Sequence, residues 1–205
     1  MANTPNIKIY GGKKSRAIRC MWMLEELNLP YEFQPVDFNA GEGQKPEYLA
    51  LNPAGKVPTM VMDDFILTES MAINLYLANK FASPLLPSNP EQLAQVHRWT
   101  LWAVTEVEFY LTLVVRELKR GDKADPERNK ENIALALKTV AVLENHLAKS
   151  GSDYLLGGEF TMADLNTASV VCSLPVIGAS LDAFPNTTAW LGRCLARPTW
   201  KKLQD

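Results

Sequence analysis

The stretch from Tyr10 to Cys20, YGGKKSRAIRC, places a hydroxyl and several cations where a strand gives way to a helix. It follows an alternating run, IKIY, that is typical of a strand, and it leads into an apolar stretch with helical periodicity from Arg16 to Leu29. A helix N-terminus attracts anions because its first backbone N–H groups lack partners within the helix. Since a hydroxyl donor and nearby cations stabilise a thiolate, this turn is a candidate site for the anionic sulfur of a small molecule.

Two further segments carry groups that suit a peptide-like ligand. In NPAGKVPTM, Pro58 favours an extended Val57 whose N–H and C=O point sideways. A cis Val57–Pro58 bond would aim these groups at an extended peptide, whereas a trans bond would make the segment an ordinary edge strand. In TES, Glu69 can accept an ammonium, while Ser70 and the amides of a helix start can take a carboxylate. The pair matches the head group of an α-amino acid, although a plainly capped helix start would read the same way.

The elements that must position these residues fall into two halves. Residues 1–82 alternate strand-like and helix-like pieces in the order strand, helix, strand, strand, strand, helix, which predicts an α/β domain. The proline-rich residues 83–90 predict a linker. Residues 91–205 carry only helical periodicity and predict a helical bundle, in which Thr161 and Asp164 form a capping box.

Composition narrows the class of protein. The chain has 21 basic and 23 acidic residues, so its net charge of -2 favours neither nucleic acid nor a membrane surface as a partner. No apolar run approaches the roughly 20 residues of a membrane span, and no signal peptide is evident, so we expect a cytoplasmic protein. The cysteines at 20, 172 and 194 are scattered and predict reduced thiols. No ligand spacing for a metal surrounds His97 or His146.

Three segments, SRAIRCMWMLEELNLPYE, NPAGKVPTMVMDDFILTESMAINLYLANKF and FTMADLNTASVVCSLP, closely resemble the cytosolic glutathione S-transferases in this order and spacing. The likeness covers essentially the whole chain. It implies a thioredoxin-like N-terminal domain, an all-helical C-terminal domain and a homodimer. It also implies a detoxification enzyme that adds the thiolate of glutathione to a small hydrophobic electrophile. The expected subtype is bacterial-type and theta-like, without the usual serine.

The resemblance also implies which residues bind glutathione. Val57, before the family's cis-proline Pro58, would pair its backbone with the cysteinyl part, and Glu69 with Ser70 would hold the γ-glutamyl head group. The residues that would face the glycine carboxylate are Lys56, with Gln44 or Lys45.

The sequence does not identify which group stabilises the thiolate. Serine-type relatives place the activating hydroxyl four residues before the arginine that matches Arg16, where this chain has Gly12. Ser15 is the best remaining donor, although its hydroxyl could instead cap the helix at the Ile18 amide. The other candidates are Tyr10, backbone amides at the helix start, and the cations Lys13, Lys14 and Arg16. Cys20 falls on the apolar face of the helix, which disfavours a cysteine-based thiol reductase.

The electrophile is expected against the second half of the chain. The predicted substrate pocket consists of Trp102, Glu106 and Tyr110, together with Tyr10 from the first half. The same helix lines the dimer interface in proteins of this kind, and Glu106 could be paired with Arg98 or Arg116 instead. Two alternatives stay open: another glutathione-dependent reaction, such as dehalogenation, isomerisation or peroxide reduction, and a non-catalytic glutathione-binding module.

Overall fold

The computed structural model describes residues 5–12 and 14–204, which form two compact units. One unit combines the chain up to Pro84 with the segment from Pro198 onward, and the other runs from Leu85 to Arg197. Within the described residues, no helix has the length and apolar character that crossing a bilayer requires.

The first unit is built on a four-stranded mixed sheet in the order β2-β1-β3-β4. Its strands are β1 (Ile7–Gly11), β2 (Glu32–Pro35), β3 (Thr59–Met62) and β4 (Phe65–Thr68). The first two strands are parallel, and the other neighbouring pairs are antiparallel. Alternate β1 residues are buried, as the period of a strand requires. This sheet with its helices is the thioredoxin-like fold that the sequence analysis predicted.

Three helices complete the sheet and connect its strands. They are α1 (Ala17–Glu26), α2 (Pro46–Leu51) and α3 (Ser70–Lys80), and a short 3-10 turn, Glu42–Gln44, precedes α2. The first and third helices pack against each other, and residues such as Trp22, Met23 and Leu77 are fully buried. The N-terminal ends of α1 and α3 carry the candidate site residues.

The last helix, α9 (Pro198–Lys201), packs onto α1 in the first unit rather than with the helical half in which the sequence analysis placed it. The ring of Trp200 lies 4.7 Å from that of Trp22, centroid to centroid. Thr199 donates a hydrogen bond to Glu26, and Lys202 forms an ion pair with Glu25. The difference arises because the helical pattern of so short a segment does not specify its packing partner, whereas burial of the Trp200 ring does.

The second unit is helical. Its helices are α4 (Pro90–Trp102), α5 (Glu108–Leu118), α6 (Pro126–Ser150), α7 (Met162–Val171) and α8 (Pro185–Leu195). A π-helical segment, Ala103–Val107, joins α4 to α5, and short 3-10 turns lie at Gly121–Lys123 and Pro175–Ile177. The capping box predicted at Thr161 and Asp164 is confirmed at the start of α7.

A carboxylate from α6 caps the N-terminus of α8. Glu144 accepts hydrogen bonds from the backbone N–H groups of Asn186 and Thr187 and from the Asn186 side-chain amide. Burial acts to raise the pKa of Glu144, but these donors outweigh it and leave the pKa below its usual value. The interaction therefore stabilises the folded protein most when the carboxyl is ionised.

We expect Glu144→Gln to lower the free energy of unfolding by about 1 kcal/mol at neutral pH. Because the folded-state pKa is depressed, the advantage of the wild type is fully present above the unfolded-state pKa of about 4.3. It should shrink as the pH falls through the folded-state pKa. Urea titrations of both proteins over this range measure the difference, and a difference that stays constant down to acid pH would contradict the role of the charge.

Candidate functional site

The hydroxyl of Ser15 is fixed by the turn between β1 and α1. Its Oγ accepts hydrogen bonds from the backbone N–H groups of Gly12 and Ala17, both at 3.1 Å. A hydroxyl oxygen has two lone pairs and one proton, so these contacts occupy its accepting capacity and leave the proton to be donated. The Ile18 N–H, which the sequence analysis considered as a partner of this hydroxyl, bonds to the Ser15 carbonyl instead.

Glycine is required at position 11, at the end of β1, because the backbone there passes close to α1. A Cβ on Gly11 would lie 2.4 Å from the Ala17 Cβ and 3.2 Å from the Ser15 Oγ. The side chains of Lys14 and Arg16 are exposed beside the turn. Lys13 lies outside the described residues.

Tyr10 makes a packing contact. Its ring lies 6.2 Å from that of Tyr48 in α2, centroid to centroid. The pleat of β1 directs Tyr10 to the face opposite Ile9 and Gly11. Its half-buried ring is thus part of the packing between the sheet and α2.

The Val57–Pro58 peptide bond is cis. Within the described part of the chain, neither the N–H nor the C=O of Val57 takes part in a hydrogen bond. The preceding carbonyl, that of Lys56, is held by the Tyr48 hydroxyl at 2.5 Å and the Asn52 side-chain amide at 2.7 Å. A half-buried backbone segment with unused hydrogen-bonding groups is suited to pairing with an extended ligand.

Tyr48 and Asn52 support the loop that contains Val57, and the sequence analysis did not identify them. Both side chains are buried, and both also contact the hydroxyl of Thr59 at the start of β3. The only signal in the sequence is a tyrosine and an asparagine spaced four apart before the loop, which is too common to be informative. Their hydrogen bonds fix the backbone at Lys56 and do not involve the N–H or C=O of Val57, which are left for a ligand.

Glu69 and Ser70 lie together at the N-terminus of α3, as predicted. Glu69 has φ 70°, a value that costs a non-glycine residue about 1–3 kcal/mol and is concentrated at functional sites. No hydrogen bond or ion pair involves its exposed carboxylate among residues 5–12 and 14–204. Ser70 is buried, and its Oγ lies 3.5 Å from the Nη1 of the buried Arg19. The helix start and this arginine make the position electropositive.

The three residues expected to face a glycine carboxylate are in different situations. The Lys45 ammonium is 3.0 Å from the Glu42 carboxylate, so its charge is already paired. Gln44 lies over Gly55, where a Cβ would be 2.4 Å from its Nε2. Lys56 is exposed and has no ion pair in the described parts of the chain. Gln44 lies next to Gly55, the residue before Lys56, and these two are therefore the better candidates of the three.

Cys20 is completely buried in α1, and its thiol donates to the Ser70 carbonyl at 3.7 Å. Burial raises the pKa of this thiol far above its usual value, and the charge of Arg19 offsets only part of the effect. The thiol is thus not a nucleophile at neutral pH, in agreement with its prediction as a core residue.

In the second unit, Trp102, Glu106 and Tyr110 are spaced four residues apart across the π-helical segment. Trp102 and Tyr110 are half-buried, and Glu106 is exposed. Of the two alternatives considered for Glu106, an ion pair with Arg98 or Arg116 is not found among the described residues; Arg98 instead lies over the Trp99 ring. Because π-helical turns are frequent at functional sites, this segment remains a candidate ligand-binding surface.

No group of three or more His, Cys, Asp or Glu side chains that could hold a metal ion occurs among the residues that the structure describes. The three cysteines are free thiols. The groups that the first unit offers to a ligand are the Ser15 hydroxyl, the N-termini of α1 and α3, the unused backbone groups of Val57 and the Glu69 carboxylate.

Comparison with known proteins identifies the family. Residues 5–79 match the model "Glutathione S-transferase, N-terminal domain", and residues 103–198 match "Glutathione S-transferase, C-terminal domain". The chain belongs to the glutathione S-transferase family. It is accordingly a transferase enzyme, with the thioredoxin-like and helical domains of that family.

Individual relatives of this transferase span nearly its whole length. Glutathione S-transferase 3 of Zea mays is 35% identical over 213 residues, which cover 96% of this chain and 92% of the relative. The crystal structure of glutathione transferase F7 from Populus trichocarpa superposes with a TM-score of 0.87 at 29% identity and 97% coverage of both chains. Glutathione S-transferase-I bound with lactoylglutathione superposes with a TM-score of 0.84 at 32% identity, over 97% of this chain and 98% of that one. The plant relatives named here give no support to the narrower expectation of a bacterial-type, theta-like subtype.

Proposed function

We propose that the enzyme binds glutathione in its first unit and conjugates it, through its thiolate sulfur, to a small hydrophobic electrophile. Glutathione carries two carboxylates and one ammonium, and the candidate site offers a matching group for each. Glu69 accepts the ammonium, and Ser70 at the start of α3 binds the γ-glutamyl carboxylate. Lys56 and Gln44 face the glycine carboxylate, and Lys45 contributes only if it exchanges Glu42 for the ligand. A family member of 32% identity has been crystallised with lactoylglutathione, a glutathione derivative, which supports glutathione as the ligand.

The backbone of Val57, before Pro58, pairs with the cysteinyl part of the ligand in this proposal. Its unused N–H and C=O are the supporting observation. Two backbone hydrogen bonds would fix the cysteinyl residue without reading its side chain, and so leave the sulfur accessible. Tyr48 and Asn52 hold the loop in this geometry through the Lys56 carbonyl.

The observation that carries the proposal is the Ser15 hydroxyl. Its oxygen is occupied by two N–H donors, so it can only donate its proton, and a thiolate is a suitable acceptor. An ordinary thiol has a pKa of about 8.5, and lowering it by about two units requires roughly 2.7 kcal/mol of preferential binding of the anion. A hydroxyl donor and the N-terminus of α1, with exposed cations nearby, can supply this amount.

The chemical step then needs little from the protein beyond placement. A sulfur lone pair forms the new C–S bond, the electron pair of the broken bond leaves with the departing group or stays on the electrophile, and the thiol proton passes to solvent. Proximity and thiol activation account for the rate. Trp102, Glu106 and Tyr110 are the proposed contacts of the electrophile, with Tyr10 as a lesser one because its ring packs on Tyr48. In this proposal the enzyme is a cytoplasmic homodimer that acts in detoxification.

An ultraviolet difference titration of glutathione bound to the wild type tests the proposal. We expect the bound thiol to ionise about two pH units below free glutathione. A panel of a chloronitrobenzene, an alkyl halide, a cis-unsaturated keto acid and an organic peroxide, each assayed with glutathione and analysed for products, separates conjugation from dehalogenation, isomerisation and peroxide reduction. A stable thioether marks conjugation, whereas halide released without a thioether marks dehalogenation. Glutathione that binds with an unshifted thiol would refute the proposed activation, and turnover of the peroxide alone would refute conjugation.

A further inference from the structure

A groove on the first unit shares no residue with the proposed glutathione site. It lies beside the second half of α1, the connection to β2 and the segment after α9, and its volume is about 550 Å³. Small-molecule sites commonly span roughly 300–1,000 Å³. Glu25 in this groove is eight residues beyond Ala17, or about 12 Å further along α1 than the Ser15 turn.

The groove is lined in equal parts by apolar and polar residues. The apolar ones are Met21, Leu29, Pro30 and Phe33, of which the first two and Phe33 are half-buried, and the polar ones are Glu25, Asn28, Tyr31 and Lys202. A methionine thioether and a phenyl ring both make favourable contacts with aromatic faces and edges. A flat aromatic ring is therefore the shape and the surface that these walls fit best.

One end of the groove is polar and electrically balanced. Glu25 accepts a hydrogen bond from the Tyr31 hydroxyl at 3.2 Å and one from the Lys202 ammonium at 2.6 Å. The charges of Glu25 and Lys202 cancel, so this end favours neither a cation nor an anion. The ammonium still has donors to offer, because Glu25 is its only hydrogen-bonded partner within the described residues, and the carboxylate has lone pairs to spare. A hydroxyl group is suited to it, since it can donate to Glu25 and accept from Lys202 at once.

The segment that supplies Lys202 is anchored independently of any ligand. Trp200 packs against Trp22 with its ring tilted, and Thr199 donates a hydrogen bond to Glu26, so the chain is already held against α1. A ligand would meet a preformed groove rather than having to order the end of the chain, and preformed sites bind at lower entropic cost.

We propose that this groove binds a small uncharged aromatic alcohol or phenol. The ring packs between Met21 and Phe33, and the hydroxyl bridges Glu25 and Lys202. This is a second ligand site on the enzyme, separate from the sites of glutathione and electrophile.

Naphthol fluorescence, measured on the full-length protein with saturating S-hexylglutathione, tests this site. The added compound fills the glutathione position and extends a hydrophobic chain from the sulfur, so naphthol is left with the groove. We expect one naphthol per chain, and at least tenfold weaker binding of naphthalene, which has the same ring but no hydroxyl group to bridge Glu25 and Lys202. Loss of naphthol binding upon addition of S-hexylglutathione, or equal binding of naphthalene, would overturn the proposal.

Two variants locate the bound ring. Met21→Arg fills the groove and should weaken naphthol binding at least tenfold, whereas Ile66→Arg, at an exposed apolar position of β4 outside the groove, should change it less than twofold. Lys202→Met removes the ammonium that would donate to the naphthol hydroxyl, adds no bulk, and should weaken naphthol binding severalfold. This second variant keeps the test valid if Met21→Arg folds poorly. Wild-type affinity in both groove variants would place naphthol elsewhere and refute the site.

Discussion

Truncating the buried aspartate of α7 to a methyl side chain, Asp164→Ala, is expected to lower the free energy of unfolding by about 4 kcal/mol. Asp164 is completely buried. Its Oδ1 accepts from the Leu155 N–H and the Trp190 indole N–H, both at 2.8 Å, and its Oδ2 accepts from the N–H and hydroxyl of Thr161. Burial raises the pKa of this carboxyl, and the four donors offset that effect only in part. The truncation leaves several buried donors without an acceptor, and each costs about 1–3 kcal/mol.

Denaturant unfolding monitored by circular dichroism measures the effect. Asp182→Ala is the matched control in the same unit, because Asp182 is exposed and should change stability by less than about 0.5 kcal/mol. Asp164→Asn, which keeps one acceptor oxygen, should fall between the two. Equal stability of Asp164→Ala and the control would mean that water satisfies the donors and that the carboxylate does not hold the helices together.

Ser15→Ala is expected to lower kcat/KM for conjugation about 100-fold at neutral pH, the usual cost of removing one donor to a developing or bound anion. The reason is that the hydroxyl proton is the only hydrogen-bonding capacity Ser15 has left once Gly12 and Ala17 have bonded to its oxygen. Binding of glutathione itself should change little, because the groups proposed to hold its two ends are untouched. The measurement is the pH dependence of kcat/KM for the chloronitrobenzene.

The pH profile separates a role in thiol activation from a structural one. In Ser15→Ala the apparent pKa of the profile should move up towards that of free glutathione, and activity should recover at alkaline pH. Ser15→Thr keeps the hydroxyl and should keep the low apparent pKa. If Ser15→Ala retained the wild-type profile while Tyr10→Phe lost it, the assignment of the donor would be wrong.

Local sequence patterns predicted much of the fold and part of the candidate site. The alternation of Ile7 and Ile9 predicts β1 because a strand buries every second residue, and Thr161 with Asp164 predicts a helix start because both partners of a capping box lie within four residues. Likewise, the sequence predicts the helix start at Glu69 and Ser70 and the proline-bearing loop at Val57. Tyr48 and Asn52 escaped sequence reasoning because their function is to bond to a carbonyl in another loop.

The strands and helices of the first unit, the helix start at Ser70 and the capping box of α7 were determined by the sequence itself, since each depends on periodicity, caps and short motifs. The tertiary structure decided which groups are already satisfied. It gave the Ser15 oxygen two N–H donors, paired Lys45 with Glu42, buried Cys20 and brought Trp200 and Lys202 back to α1. The physical reason is that hydrogen-bond satisfaction, burial and ion pairing depend on residues distant in the chain, and their spacing in sequence does not encode that proximity.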